Sequence, residues 1–558
     1  MKGQLSNINI RQRVAQRSGE RKPLESMWKL VEQFISPYRT MFFTSKTSES
    51  SVDWRLRELF DSSAIKDNQN LAASLDGSLT NSAIQWFHYM FRQPEAAKYV
   101  EVNQWLEEVN RIAYTFLQTS NFGLEANELY LDLTSFGVGG LAHSVEETPD
   151  GRIDSMLFKA LPIDEWFFDE DHNGELLNFY RKFYWTAEQM VTKFGAEGVP
   201  VKIYDQSLSG INSNTRHEVL YCVYKRRGKE YEGVLGFSVT EPDMRPYGEK
   251  YFMVESLENL GEEGGLYDMP VYVPRWRKAT GSIWGWSPSM TAIYDVLTLN
   301  QTVEMTFQAG EKAIDPSLLV TRRGVYGNID LSAAGVTVVA NKDSVSTFES
   351  KARFDISGIQ KNELKQAIRE AYFADQLQLK DSPAMTATEV HARIQLMQRL
   401  LGPTYGRLQS DFLDKLLSRM FKMLFRYRVL PPMPAIVAEK GWELEIDYLG
   451  PLAKSQRIND AQAIERTLGT ASALSEKWPT IVDNIDEDEA IRELGDVTGA
   501  PARIWKSRDS VKQLRDTRNE VQGRAAQTAQ AEAEGKAMEA QGKGQAALQS
   551  IEGGQEAA

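Results

Sequence analysis

The residues best spaced for chemistry are Asp169, Asp171, Asn173 and Gly174, which follow the first half of an EF-hand loop. Oxygen donors at the first, third and fifth positions, with glycine at the sixth, are how such a loop starts a cage for a hard cation. The twelfth position must close that cage with a bidentate glutamate, and Tyr180 stands there. The charge fails where the ion needs it most, so the stretch reads as an Asn173-Gly174 hairpin turn between two aromatic strands. Gly137-Val138-Gly139-Gly140 lacks the Lys-Ser/Thr pair of a phosphate-binding loop and reads as a bend leading into a strand. His88, His143, His172, His217 and His391 include no pair spaced by three or four, so no helical metal site is expected. No Gly-x-Ser-x-Gly elbow occurs, and the carboxylates form no pattern that singles out a catalytic pair. Cys222 is the single cysteine, which excludes an intrachain disulfide and a thiolate zinc site. It reads as a small buried hydrophobe in the strand-like Val219–Tyr224, in a chain made in a reducing cytoplasm. No catalytic residue, metal or cofactor is expected, and the chain does not read as an enzyme.

Cations are more informative. Lys361, Lys365 and Arg369 step by four, which places three positive charges on one helical face beside the apolar Leu364, Ile368, Ala371 and Tyr372. One reading is a solvated stripe balanced by Glu363 and Glu370; the other is a strip facing DNA phosphates. The net charge of −13 bears on the choice. A protein that grips DNA tightly is usually basic overall, whereas an acidic chain that meets DNA holds it loosely through local cations. That suits a conduit better than a repressor.

The elements that would position these residues follow from periodicity. With 558 residues, 42% of them apolar and 25% charged, the chain has the composition of an ordinary globular protein and the length of about three or four domains. It has no apolar run of about 18 residues, so no membrane span is expected. The first 23 residues, with Arg11, Arg13, Arg17, Arg21 and Lys22, read as a basic arm and not as a secretory signal. Residues 24–120 read as mostly helical, and from Gly137 the pattern becomes that of short strands punctuated by Gly, Asn and Asp. Thr186–Phe194 reads as a short helix, and Met269–Arg275, with Pro270 and Pro274, as an edge strand. Ser287-Pro288 opens a helix as N-cap and first residue, running to Ile314 over about 39 Å. Ser317–Phe354 alternates short strands with turns, and Ile359–Gln378 is helical. Leu379–Val390 is a small-residue, proline-bearing connector into a long amphipathic helix bent at Gly402-Pro403. Residues 519–558 have no aromatic residue and six glycines, and read as a low-complexity tail.

In that order, several signals resemble the portal (head-to-tail connector) proteins of short-tailed bacteriophages. They include Trp54–Asp61, Leu71–Leu79, Trp86-Phe87, Pro162–Trp166, Thr186–Gly195, Arg275-Trp276, Gly285-Trp286-Ser287-Pro288, Asp295–Asn300, Thr386–Val390 and Leu401-Gly402-Pro403, spread over roughly residues 25–435. The resemblance implies an α+β portal fold, one subunit of a homo-oligomeric, usually dodecameric, ring at a capsid vertex. It divides the chain into a basic N-terminal arm (1–23), a wing (24–286), a first stem helix (287–316), a clip (317–355), a second stem helix (356–378), a tunnel loop (379–386), a long bent wing helix (387–436), a crown (437–518) and a C-terminal tail (519–558). Double-stranded DNA would pass through the channel during packaging and ejection. Lys380, Asp381, Ser382, Pro383, Ala384 and Met385 would lie at its narrowest part, with Lys361, Lys365 and Arg369 lining the stem. Arg322 and Arg323, at the start of the clip, would meet a tail adaptor or DNA. Terminase, the tail adaptor, the major capsid protein and a scaffolding protein are the implied partners. The implied place is the virion, after assembly in the host cytoplasm and without a membrane. The rival readings are a non-channel neck or capsid adaptor and a cytoplasmic enzyme with a hidden site.

Overall fold

The computed structural model describes residues 5–39, 58–82, 84–209, 214–227, 241–278, 280–314, 318–321, 338–341, 343, 345–347, 354–374, 401–448, 463–474, 485–498, 510–524, 527, 535–538, 540 and 543. The expected tunnel-loop residues 379–386 and the clip arginines Arg322 and Arg323 lie outside them. The chain divides into two compact units, one built from 1–88, 111–430 and 446–455 and the other from 89–110, 431–445 and 456–558. The described elements mix helix and antiparallel sheet, an α+β protein as the sequence predicts.

In the first unit, helix α1 (Asn7–Phe34) starts where the Ser6 hydroxyl accepts from the Asn9 amide. The arginines read from sequence as a basic arm therefore lie on a helix docked on their own chain. Arg13 and Arg17 both bind Asp169, at 2.9 and 2.8 Å. Arg21 is buried and donates to the carbonyls of Ile163, Asp164 and Trp166, each at 3.0 Å. Its guanidinium also lies 4.1 Å from the centroid of the Phe167 ring. Helices α2 (Ser63–Leu79) and α3 (Phe122–Phe136) pack together. Phe87–Phe91, read from sequence as part of a helical block, is a strand. Its burial alternates, which is the period-two pattern of a half-buried strand.

Two sheets follow α3. Strands β1 (Gly140–Glu147) and β2 (Ile153–Leu161) pair as a hairpin, and the two-residue β8 (Val271–Tyr272) joins the free edge of β1, giving the order β2-β1-β8. The prolines flanking β8 fit that edge position. Strands β3 (Trp166–Glu170), β4 (Leu176–Thr186), β5 (Arg216–Lys225), β6 (Tyr247–Met253) and β7 (Asn259–Leu266) form an antiparallel meander in sequence order. Helix α4 (Ala187–Phe194) is closed by a capping box between Thr186 and Gln189. With α5 (Val201–Leu208) it covers the meander through Met190 and Ile203 against Phe183, Val219, Met253 and Leu260. Strand β7 (Asn-Leu-Gly-Glu-Glu-Gly-Gly-Leu) carries no alternating apolar signal. Its glycines answer a steric need instead: a Cβ on Gly265 would lie 1.8 Å from the Pro242 carbonyl oxygen.

Helix α6 spans Pro288–Ile314, with the Ser287 hydroxyl accepting from the Met290 amide at 2.9 Å, the N-cap that the sequence predicts. A short antiparallel pair, β9 (Leu318–Val320) and β10 (Val345–Thr347), lies between it and helix α7 (Phe354–Ala371), which packs along α6. The chain is helical from 401 to 408, passing Gly402 and Pro403. It then widens into a π-turn at Gln409–Leu413 before α8 (Asp414–Arg426). The π-turn seats Phe412 against Phe122 and Tyr272 and brings Asp411 to 3.6 Å from Arg275.

In the second unit, Asn110 closes a reciprocal pair of bonds with the backbone of Tyr89, at 2.6 and 3.1 Å. Trp105 stacks on Phe91 and donates its indole N–H to the Pro431 carbonyl. Residues 463–474, Glu487–Thr498 and 510–524 are helical, and Arg515 grips Asp488 with two bonds of 2.6 Å.

Candidate functional site

The calcium-like stretch is a hairpin whose acidic groups serve other bonds. Asp171 caps its own turn, accepting from the amides of Asn173 and Glu175 at 2.9 Å each. Gly174 takes the left-handed backbone the turn requires, with φ of +83°. Asp169 points to α1 and also accepts from Tyr180 at 2.8 Å and Asn178 at 3.1 Å. Burial would raise its carboxyl, but these bonds and Arg17 outweigh it and hold the group below the usual carboxylate range. Tyr180, at the position where a glutamate would be needed, is a donor to the same aspartate. Glu170 turns the other way, to Lys278 at 2.8 Å and to Arg275.

The Gly137–Gly140 run is structural. Gly137 ends α3 in the left-handed region (φ +82°), and its carbonyl lies against Gly285, where a Cβ would fall 1.9 Å from that oxygen. This approach brings the C-terminus of α3 to the N-terminus of α6, so that the Ser287 hydroxyl donates to the Ser135 carbonyl at 2.8 Å. The two helix ends meet with opposite partial charge. Cys222 is buried in β5, and burial pushes its thiol far above the ordinary range, which makes it inert.

The cationic face Lys361, Lys365, Arg369 lies on α7. Lys365 binds Asp61 at 3.0 Å. Burial would raise the Asp61 carboxyl, but hydrogen bonds from Ser63 and the Lys365 ammonium outweigh it and lower the group. Asp61 belongs to a turn that α6 also grips: the Asn300 side chain accepts from the Phe60 amide at 2.7 Å and donates to the Glu58 carbonyl at 2.8 Å. One of the three cations thus ties α7 to the segment before α2. Lys361 is partly buried and Arg369 is exposed.

Beyond Asn300 in α6, and across residues 358–367 of α7, no described residue is buried. Met305, Phe307 and Ile314 are 57%, 64% and 88% exposed, and Ile359 is 60% exposed. The apolar stripe that seats the first half of α6 continues past the end of its cover. At the other end, buried polar side chains join both helices to α2 and α3, with Ser289 at the centre. Sequence reasoning missed this cluster, because a serine or asparagine in a helix carries no periodic signal and Tyr372 read as one member of an apolar face. Among the described residues no cluster of histidine, cysteine, aspartate and glutamate is arranged to hold a metal ion. No described helix is long and apolar enough to cross a membrane.

The described residues thus form an α+β body in which the far ends of α6 and α7 carry exposed apolar side chains. Residues 8–505 match the family described as the bacteriophage head to tail connecting protein, and the chain belongs to that family. It is 26% identical over 538 residues to the portal protein of Salmonella phage epsilon15, covering 94% of this chain and 92% of that protein. It is 25% identical over 522 residues to the probable portal protein of Bordetella phage BPP-1, covering 91% of this chain and 90% of that one. The kinship with phage portal proteins inferred from short ordered motifs holds along nearly the whole chain. Head-to-tail connection makes the protein a virion component with a capsid side and a tail side.

Proposed function

We propose that copies of this chain close into a dodecameric ring at one capsid vertex and form the channel for packaging and ejection of double-stranded DNA. Terminase docks on the ring during packaging and a tail adaptor afterwards, with the major capsid and scaffolding proteins surrounding it. In this reading α6 and α7 are the stem, residues 317–355 the clip, 379–386 the tunnel loop and 437–518 the crown. Lys380 and Asp381, repeated around the axis, form adjacent rings of opposite charge, and Ser382, Pro383, Ala384 and Met385 present small or flexible surface to the duplex. Contacts that partly cancel let DNA slide under a motor's force. Lys361 and Arg369 are the channel-lining cations of the stem, and Arg322 and Arg323 contact the adaptor.

The observation that carries the ring is the uncovered distal half of the α6–α7 pair. A helical hairpin with Met305, Phe307, Ile314 and Ile359 in water is poorly stabilised alone. In a cyclic assembly the next copy covers that surface by heterologous contact. Native mass spectrometry and negative-stain images of the purified protein test this, and closed rings are expected. A protein that stays monomeric at high concentration, with and without scaffold, overturns it. Lys380→Cys cross-linking separates a channel from a non-channel adaptor, since only an axial loop brings neighbouring cysteines together.

A further inference from the structure

The strongest unassigned feature is the buried hydroxyl network where α6 and α7 meet the rest of the first unit. Ser289, in the first turn of α6, donates to the Thr134 carbonyl of α3 at 2.8 Å. Its single proton is then committed, so the 2.7 Å contact with Tyr372 has the phenol as donor and the serine oxygen as acceptor. The Asn68 Oδ1 of α2, a second acceptor, lies farther from the same hydroxyl at 3.4 Å, and the Asn68 amide donates to Ser135 at 3.0 Å. Ser135 in turn meets Ser36, just past the end of α1, at 2.7 Å. Ser36, Asn68, Ser289 and Tyr372 are fully buried and Ser135 is nearly so.

Apolar side chains of the same shape would fill this space without desolvating hydroxyls, so the network is not there for bulk stability. A dense polar cluster in a core favours one arrangement, because any slip leaves further buried donors or acceptors unmade. Here the arrangement it fixes is the register of the last turn of α7 against the first turn of α6, and of both against α2 and α3. The next residue reinforces the point. Phe373 has φ of +58°, a left-handed backbone that a bulky residue adopts at a cost, and Ala374 after it is fully buried. The direction in which the chain leaves α7 is therefore set by Tyr372 on one side and Ala374 on the other.

We infer that the Tyr372–Ser289 hydrogen bond is the pivot that locks both proposed stem helices to the wing helices, making Tyr372 a positioning residue for the DNA conduit. The inference rests on the portal reading for its function and on the network alone for its geometry. The two are tested together on the full-length protein with Tyr372→Phe, Ser289→Ala and the double variant. Amide hydrogen exchange is followed in the last turn of α7 and the first turn of α6, and retained DNA is measured in filled heads.

Each single variant is expected to speed exchange at both turns by about three- to tenfold, the worth of one hydrogen bond. The double variant should be no faster than the faster single variant. Retained DNA should fall at least threefold in heads whose rings assemble normally, and by more than in a control variant elsewhere in the core that lowers the melting temperature equally, a change that a merely structural role would not produce. Wild-type exchange in Tyr372→Phe, additive effects of the two singles, or unchanged DNA retention each overturns the inference. If the wild-type protein makes no ring and supports no packaging, the portal reading falls while the coupled exchange of the two turns still stands.

Discussion

Lys365 reaches from α7 to Asp61 at 3.0 Å, and through it α7 is tied to the turn that Asn300 of α6 also holds. Of the three cations at intervals of four, the middle one is thus an internal tie, whatever part the face plays in the proposed channel.

The division predicts separable variants. Lys365→Gln should lower thermal stability slightly, by less than about 1 kcal/mol, because the lysine is partly exposed and its pair is screened. DNA packaging should stay near wild type. In the proposed channel, Lys361→Gln with Arg369→Gln should leave ring assembly intact and alter the amount of DNA packaged or retained. A packaging defect in Lys365→Gln equal to that of the double variant, at unchanged stability, would show that the strip acts as one unit.

A second prediction concerns Gly285. A side-chain carbon there would lie 1.9 Å from the Gly137 carbonyl oxygen and 2.8 Å from its carbonyl carbon, backbone atoms that the end of α3 holds in place. Gly285→Ala should therefore unseat the start of α6 and release the Ser287–Ser135 bond. The expected cost is several kcal/mol, on the order of a severe core lesion. The check is the midpoint of thermal unfolding and the yield of soluble protein. Gly151→Ala is the control: its turn also has positive φ, but a Cβ there meets nothing within 4 Å, so it should cost only about 1 kcal/mol.

How much of this was legible differs by physical cause. The α6 boundaries were readable because a Ser-Pro start leaves a local chemical signature, and α4 because Thr186 and Gln189 form a capping box. The edge position of β8 followed from its prolines. The docking of α1 was not readable, because the arginines stand next to Asp169 and the Ile163–Trp166 carbonyls only after the chain has folded. The same holds for Lys365 and Asp61, which lie far apart in sequence. Strand β7 was hidden because its glycines are fitted to neighbouring backbone and ring atoms, and so present no apolar face. For the EF-like stretch, the hairpin turn was readable from Asn173-Gly174, and the partners of its acids, Arg17, Tyr180 and Lys278 among them, were not, because they meet only in the fold.

Arg21 supports a third prediction. Its buried guanidinium meets three carbonyls, the half-buried Glu25 at 2.7 Å and the face of Phe167. Burial lowers its pKa, opposed by Glu25. Arg21→Met keeps the stem of the side chain and strands those carbonyls without donors. The expected loss is about 3 kcal/mol, the scale of a broken buried charged network. Arg11→Met, on the exposed side of the same helix, should change stability by no more than about 0.5 kcal/mol. Equal melting temperatures for the two variants would show that the α1 contact with the β3 region contributes little.

The last prediction is a pH dependence carried by His143. The ring is fully buried in β1, stacked 4.5 Å from Phe158, with Nδ1 at 2.9 Å from the Tyr272 hydroxyl. Burial, and secondarily the Arg419 charge, drive its pKa well below the ordinary histidine range, so the folded protein holds it neutral. The unfolded chain titrates near about 6.5. Above that value both states are neutral and the group has no effect on the balance. As pH falls below it, the unfolded state takes up a proton that the folded state refuses, and stability declines by up to about 1.4 kcal/mol per pH unit from this one site. The contribution of His143 to the thermal midpoint should thus be nil from pH 8 to about 7 and grow more unfavourable towards pH 5, against the opposite trend of the buried Asp132, whose carboxyl burial raises to about 7. In His143→Gln, which keeps a polar group for Tyr272 but cannot titrate in this range, the midpoint should rise relative to wild type as pH falls from about 7 to 5. A variant whose midpoint tracks wild type at every pH would assign the acid sensitivity to other groups.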